Sequence, residues 1–213
     1  MASDRELIPK EYVRCNLCDA DFTRLWGRKH GINIVECQQC GLIYANPRLD
    51  SGELKQYYSA EYFTGGDYAG NEERGRMYKI EIRDMLRIIG TRGRFLDVGC
   101  AYGRFLSYLP DTFEKYGLEY SPEAAAYGRE KLGFDVSVGQ LHEIPFEDGF
   151  FDVVQFRGVF EHLQDPQRDL GVCYRILKDD GWLLLSTIPN IRSPCGRLYR
   201  ERFKLVYPRE HIY

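Results

Sequence analysis

With 213 residues, 44% of them hydrophobic and 29% charged, the chain has the length and composition of a soluble globular protein able to bury a core without disulfide help. A formal net charge of −3 argues against a surface built on nucleic-acid phosphates, which calls for a basic face. The charged start Met1-Ala2-Ser3-Asp4-Arg5-Glu6 holds no apolar segment of signal-peptide length, and no later run is long enough to span a bilayer. A cytoplasmic address with no membrane partner is therefore expected.

The first fifty residues carry two knuckles, Cys15-Asn16-Leu17-Cys18 and Cys37-Gln38-Gln39-Cys40-Gly41, separated by eighteen residues. Two C-x-x-C pairs at that spacing are the pattern of a tetrahedral four-cysteine zinc ribbon, each knuckle offering two thiolates to one metal. Ile32-Asn33-Ile34-Val35-Glu36 reads as a strand leading into the second knuckle, and Gly41 permits the tight turn after it, where Asp19 holds the equivalent place after Cys18. Two disulfides or four buried thiols are the competing readings; a cytosolic setting disfavours the first and the pairing of two knuckles disfavours the second. With all four positions filled by Cys15, Cys18, Cys37 and Cys40 the metal would be structural, since a catalytic zinc keeps a position open. Of the other cysteines, Cys100 is expected as a small buried filler, Cys173 on the apolar side of a helix, and Cys195 in a late loop.

Asn46-Pro47-Arg48 closes this domain, residues 1–50, and an aromatic connector over 51–92 follows with Leu54, Tyr57, Tyr58, Tyr62 and Phe63 ahead of Gly65-Gly66. A charged helix is predicted over 71–89, with Met77, Ile80, Met85, Leu86 and Ile89 on one buried face. From Gly93 to the last residue strands and helices alternate: strands at 94–98, 114–119, 134–138, 151–156 and 182–187, helices at 103–109, 122–132 and 166–178. Alternation of this kind predicts an α/β fold, a Rossmann-like doubly wound parallel sheet with helices on both faces.

Within it, Phe95-Leu96-Asp97-Val98-Gly99-Cys100-Ala101-Tyr102-Gly103-Arg104-Phe105 reads as a buried strand that turns on small residues and opens into a helix. Such a turn brings backbone N–H groups and a helix start to a ligand and lets it approach the chain closely. The next strand ends at Glu119, about 20 residues on, at the place of the acid that takes the hydroxyls of a ribose. A dinucleotide site asks for G-x-G-x-x-G, whereas this chain has Gly99-x-Ala101-x-Gly103.

That turn resembles the first motif of the class I S-adenosylmethionine (SAM) methyltransferases, D-x-G-x-G-x-G, with Ala101 in place of the middle glycine. Other stretches are similar to further motifs of that family, in the same order: Gly139-Gln140-Leu141-His142-Glu143-Ile144-Pro145-Phe146, Asp148-Gly149-Phe150-Phe151-Asp152-Val153-Val154, Glu161-His162-Leu163 with Asp165-Pro166, and the turn Leu177-Lys178-Asp179-Asp180-Gly181-Trp182 before strand five. Together with the cysteine ribbon, the Asn-Pro-Arg exit, the Tyr-Tyr connector and the late Glu210-His211, the whole resembles the sugar C-methyltransferases and their bacterial relatives.

The resemblance implies that Asp97, Gly99, Ala101 and Gly103 meet the methionine end of SAM, that Glu119 takes the ribose, and that Gln140 and Leu141 border the adenine. It implies a catalytic Glu210-His211 pair; His162 is the second candidate base, with a capping role as its alternative. Tyr58 and Tyr62 would line an acceptor pocket or pack on the ribbon. It also implies an incomplete sheet, because strands six and seven do not fit after residue 187. A small-molecule acceptor, such as a sugar nucleotide, is the expected partner. An RNA acceptor gripped through Arg24, Arg28, Lys29 and His30, or a SAM-binding protein without catalysis, are the alternatives, and oligomeric state is left open.

Overall fold

The computed structural model describes residues 9–57 and 72–213, so Tyr58 and Tyr62 lie outside the described residues. The chain groups into two compact units. One takes Met1–Tyr57 together with Gly158–Gln167 and Thr187–Tyr213, the other Tyr58–Arg157 with Arg168–Ser186. This differs from a division at residues 50 and 92, for a plain reason. Ala45 N–H donates to the Ile212 carbonyl at 3.1 Å and Ile212 N–H to the Glu161 carbonyl at 2.9 Å, so two late segments join the ribbon through backbone hydrogen bonds.

In the first unit β1 (Thr23–Lys29), β2 (Ile32–Cys37) and β3 (Ile43–Ala45) form an antiparallel meander in that order. His30 and Gly31 make the two-residue hairpin turn between β1 and β2, with φ of 51° and 78°, the left-handed pair that such turns require. Arg24, Arg28, Lys29 and His30 are thus a strand and its turn rather than a loop, and Arg24 reaches Glu36 directly across the ladder at 2.7 Å. Val35, Tyr44 and Ala20 pack around Cys15 and Cys37 as a small core. The helix α1 (Ser51–Tyr57) starts on a reciprocal cap: Glu53 N–H donates to the Asp50 carboxylate at 2.8 Å and Asp50 N–H to that of Glu53 at 3.1 Å. Cys195 lies on a short helix (Pro194–Tyr199) instead of a loop.

The second unit is built on a parallel sheet of five strands. Its members are β4 (Gly93–Val98), β5 (Phe113–Glu119), β6 (Asp135–Val138), β7 (Phe151–Arg157) and β8 (Leu177–Ser186), ordered β6-β5-β4-β7-β8. Phe95 and Leu96 on β4 and Val154 and Phe156 on β7 are fully buried, as the middle strands of a sheet covered on both faces must be. The helix α2 (Glu72–Ile89) precedes β4, and between the strands run α3 (Arg104–Tyr108), α4 (Pro122–Leu132) and α5 (Pro166–Ile176). The sequence of α4 dictates its limits: the Ser121 side chain accepts from Ala124 N–H, Pro122 opens the first turn, and Gly133 ends it at φ 72°.

Two expectations need correction. On α2 the buried residues are Gly75, Tyr78 and Ile82, with Met85, Leu86 and Ile89 packed partly against them, while Met77 and Ile80 face solvent. Gly75 belongs to the buried face because the Tyr108 hydroxyl would stand 2.5 Å from any Cβ there. The stretch Leu177–Asp180 is drawn into β8 rather than forming a turn. Its pairing with β7 slips between Phe151 and Val153, so regular register resumes only at Trp182.

Candidate cofactor and acceptor site

Because β4 lies between β5 and β7, the chain reverses its direction of travel across the sheet there, and the turn after β4 opens at the switch point where ligands of open α/β folds bind. Gly99, Ala101 and Gly103 all take left-handed backbone, with φ of 72°, 48° and 73°. Alanine in that conformation is strained by about 1 kcal/mol, and Glu119 holds it there by accepting Ala101 N–H at 2.8 Å. The same carboxylate accepts Tyr120 N–H at 2.8 Å and Ser121 N–H at 2.9 Å. A carboxylate offers about four lone-pair positions, so Glu119 as folded has room for one more donor, and a second ribose hydroxyl would have to displace a backbone N–H. Burial raises its pKa despite these three donors.

The expectation that the turn presents free N–H groups is not met at four of its residues. Gly99 N–H and Cys100 N–H both donate to the Leu118 carbonyl, at 2.7 and 3.1 Å, and Gly103 N–H to that of Cys100 at 2.8 Å. The bonds from Gly99, Cys100 and Ala101 stitch the turn onto β5, and that of Gly103 closes the turn on itself. What the turn supplies to a ligand is close approach and the two acids beneath it.

Asp97 is buried, 3% exposed, and faces Gln155 on the neighbouring strand, whose amide nitrogen donates at 3.2 Å. Burial pushes its carboxyl up to about 7, outweighing Gln155 and the charge of Arg157, which hold it down. Arg157 itself is clasped by Glu81 at 2.7 and 3.0 Å and lies over the Tyr78 ring. Gln155 and Arg157 were missed in the sequence; the signal was available as two polar residues inside an apolar strand. Gln140 and Leu141 follow β6, where Gly139 N–H donates to the Glu119 carbonyl at 3.0 Å and so brings them to the end of β5. Gln140 N–H donates to the Glu143 carboxylate at 2.8 Å, Leu141 is buried, and His142 Nδ1 meets buried Asp169 of α5 at 3.2 Å. The residues of this turn are therefore held from both sides, and the acceptor position left on Glu119 fits one ribose hydroxyl.

In the first unit the four knuckle sulfurs converge. All lie within 4.8 Å of one another, with Cys15 and Cys40 Sγ 3.4 Å apart and Cys18 and Cys37 Sγ 3.6 Å apart. A tetrahedral zinc at about 2.3 Å from each sulfur sets the thiolates a little under 4 Å apart, so the group fits that ion. The Cys40 backbone N–H lowers the Cys37 thiol most, to about 6.

His162 and His211 also come together, their rings 4.8 Å apart and nearly perpendicular. The Glu210 carboxylate accepts the Tyr57 hydroxyl, its charge acts on the His211 imidazole, and His211 Nδ1–H donates to the Leu205 carbonyl at 3.1 Å. His162 Nδ1–H donates to the Glu210 carbonyl at 2.9 Å. Burial lowers both imidazoles, His162 to about 4 with help from the His211 charge. His211 lines a shallow, open recess whose walls include Tyr44, Pro189, Phe203 and Tyr207. Glu161, adjacent to His162, completes the cluster and was missed as a member of it; nothing local marks its nearness to His211.

Residues 96–185 match the family described as a methyltransferase domain. The chain is 33% identical over 104 residues to the "Probable S-adenosylmethionine-dependent methyltransferase" of Mycolicibacterium smegmatis, 48% of this chain and 40% of that one. It is 30% identical over 124 residues to the demethylmenaquinone methyltransferase of Thermus thermophilus, 54% of this chain and 56% of that one. Among solved structures, the PH0226 protein of Pyrococcus horikoshii superposes with a TM-score of 0.55 at 26% identity, covering 65% of this chain and 70% of that one. The chain thus spans about half the length of these curated relatives. A five-stranded sheet in this order, a glycine turn at its switch point and these matches make residues 96–185 similar to the methyltransferase-domain family and to SAM-dependent methyltransferases.

Proposed function

We propose that the protein transfers the methyl group of SAM to a small-molecule acceptor, and that Cys15, Cys18, Cys37 and Cys40 hold a structural zinc. The observation that carries this reading is the turn from Gly99 to Gly103, pinned by Glu119, with Asp97 beneath it at the sheet's switch point. When bound, SAM supplies an already activated methyl electrophile. The chain's part is to position and to exclude water, an effect worth roughly 7–11 kcal/mol when reacting atoms are aligned. Gly99, Ala101 and Gly103 give the close approach, Glu119 takes a ribose hydroxyl, and Gln140 and Leu141 border the adenine.

Where the acceptor must lose a proton, His211 is the better base. His162 is lowered to about 4 and is correspondingly weak, whereas His211 lines the recess with its Nδ1–H anchored. Glu210, holding Tyr57, positions the segment. A sugar nucleotide or another biosynthetic intermediate is the acceptor class proposed. An RNA acceptor is disfavoured by the net charge of −3 and by Arg24, which is spent on Glu36.

Calorimetric titration of S-adenosylhomocysteine into the zinc-loaded chain tests the reading, with NAD as control ligand. Saturable binding is expected, weakened at least about tenfold by Glu119→Ala, since a hydrogen bond to a charged group is worth about 1.5–3 kcal/mol. Binding of NAD in preference, or an affinity indifferent to Glu119, contradicts it.

A further inference from the structure

We infer that Arg157 takes the carboxylate at the methionine end of SAM, while Asp97 takes the ammonium. The inference rests on SAM as the ligand of the turn. Asp97 and Gln155 are partners across β4 and β7 and their side chains meet, so the alternation of side chains along a strand puts Arg157 on that same face. Arg157 stands one residue beyond the last pair, Val98 with Phe156, and so beside the start of the turn at Gly99.

The guanidinium is a fixed donor. Glu81 on α2 accepts from its Nε at 2.7 Å and its Nη2 at 3.0 Å, which leaves the two N–H groups of Nη1 with no acceptor among the described residues. The Tyr78 and Phe105 ring centres lie 4.7 and 5.5 Å from the guanidinium carbon, so the planar group is held by its edge and its faces before a ligand arrives. Glu81 is thereby a positioning residue. About a fifth of the Arg157 side chain, 20%, stays exposed, which leaves it within reach of a ligand. A cation on a strand that otherwise buries Phe151, Val153, Val154 and Phe156 is costly, and a carboxylate on the remaining edge gives it a strong charge-assisted bond. Across from it, Gln155 donates to Oδ1 of Asp97 and leaves Oδ2 for a cation. Among the described residues Arg157 is the cation whose charge bears on Asp97. An amino-acid group, with ammonium and carboxylate on one carbon, meets one acid and one base carried by neighbouring strands.

Calorimetric titration with three ligands separates this role from a structural one. They are S-adenosylhomocysteine, its decarboxylated analogue S-adenosylthiopropylamine, which keeps the ammonium, and methylthioadenosine, which has neither charge. The native chain should bind S-adenosylhomocysteine at least about tenfold more tightly than the thiopropylamine. In Arg157→Met, whose apolar stem still packs on Tyr78, that preference should fall below about twofold, with the affinities for the other two ligands kept. Equal binding of S-adenosylhomocysteine and the thiopropylamine by the native chain overturns the inference without recourse to a variant. An equal loss of all three ligands in Arg157→Met, the mark of a structural role, overturns it too. Failure of all three to bind the native chain overturns the cofactor reading and this inference together.

Discussion

The turn after β4 and the separate cysteine and histidine clusters of the first unit show two ways of building a site. At the turn, backbone does most of the work: Gly99, Cys100, Ala101 and Gly103 spend their N–H groups on Leu118, Glu119 and Cys100, over a core of fully buried Phe95, Leu96, Val154 and Phe156. Among the described residues the first unit gathers apolar side chains in small groups, such as Val35 and Tyr44 around the knuckles and Ile32, Ala45 and Ile212 beside them. Its polar residues come from three separate stretches of chain. Apolar burial can hold the first arrangement by itself. In the second, the zinc proposed for the four cysteines would supply the missing bonds, as in small metallo-domains, whose zinc affinity is also their folding energy.

The largest expected effect breaks the second region and leaves the logic of the first intact. Cys37→Ser should remove one equivalent of bound zinc and with it a share of the about 10–16 kcal/mol that structural zinc contributes. Elemental analysis and thermal unfolding read it, and a variant with full zinc content and an unchanged melting temperature would remove the distinction between the regions. Next is the pH dependence of the first region. Asp97 has a folded pKa of about 7 against an ordinary value of 3.8, so between those values the folded state keeps a proton that the unfolded state has released. Stability then falls as pH rises from about 4 to 7, on the order of a few kcal/mol. Asp97→Asn, which still accepts from Gln155, should abolish that slope in urea unfolding series at several pH values.

Gly117 tests how tightly the strands under the turn are packed. A Cβ there would lie 2.7 Å from Cys100 Sγ and 3.1 Å from Val136, and crowding of this kind costs about 1–3 kcal/mol. Gly117→Ala should lower the denaturation midpoint accordingly, whereas Gly31→Ala, with open space around it, should act only through its φ of 78°. The smallest effect is expected at Arg24, whose side chain is 70% exposed in its pair with Glu36. Arg24→Ala should cost less than about 1 kcal/mol and leave RNA affinity unchanged in filter binding at low salt.

How much of this was legible in the sequence follows from the same contrast. The turn could be read because its chemistry is contiguous: left-handed backbone wants glycine or small residues, and Glu119 follows one strand later. The limits of α4 were equally plain, since Ser121, Pro122 and Gly133 each act on their own neighbours. The cysteine knuckles announce themselves by spacing. The buried face of α2 was misread because Gly75 has no side chain to mark it, while Met77 and Ile80, apolar by type, fall on the solvent side. Glu161 gave no sign of its partner, because His211 reaches it through the Ile212 backbone bond from far along the chain. Spending of the turn's N–H groups on β5 was hidden for a similar reason: a sequence shows which residues bend, and not which carbonyl their amides find.

Hydrogen exchange of the full chain with and without S-adenosylhomocysteine tests the central claim most directly, because it reports where the ligand binds. The account predicts slowed exchange in peptides covering 97–104, 117–121 and 139–143, which bring together the turn, Glu119 and Gln140. Saturating ligand that leaves those three segments unchanged, or protects others in their place, would contradict it.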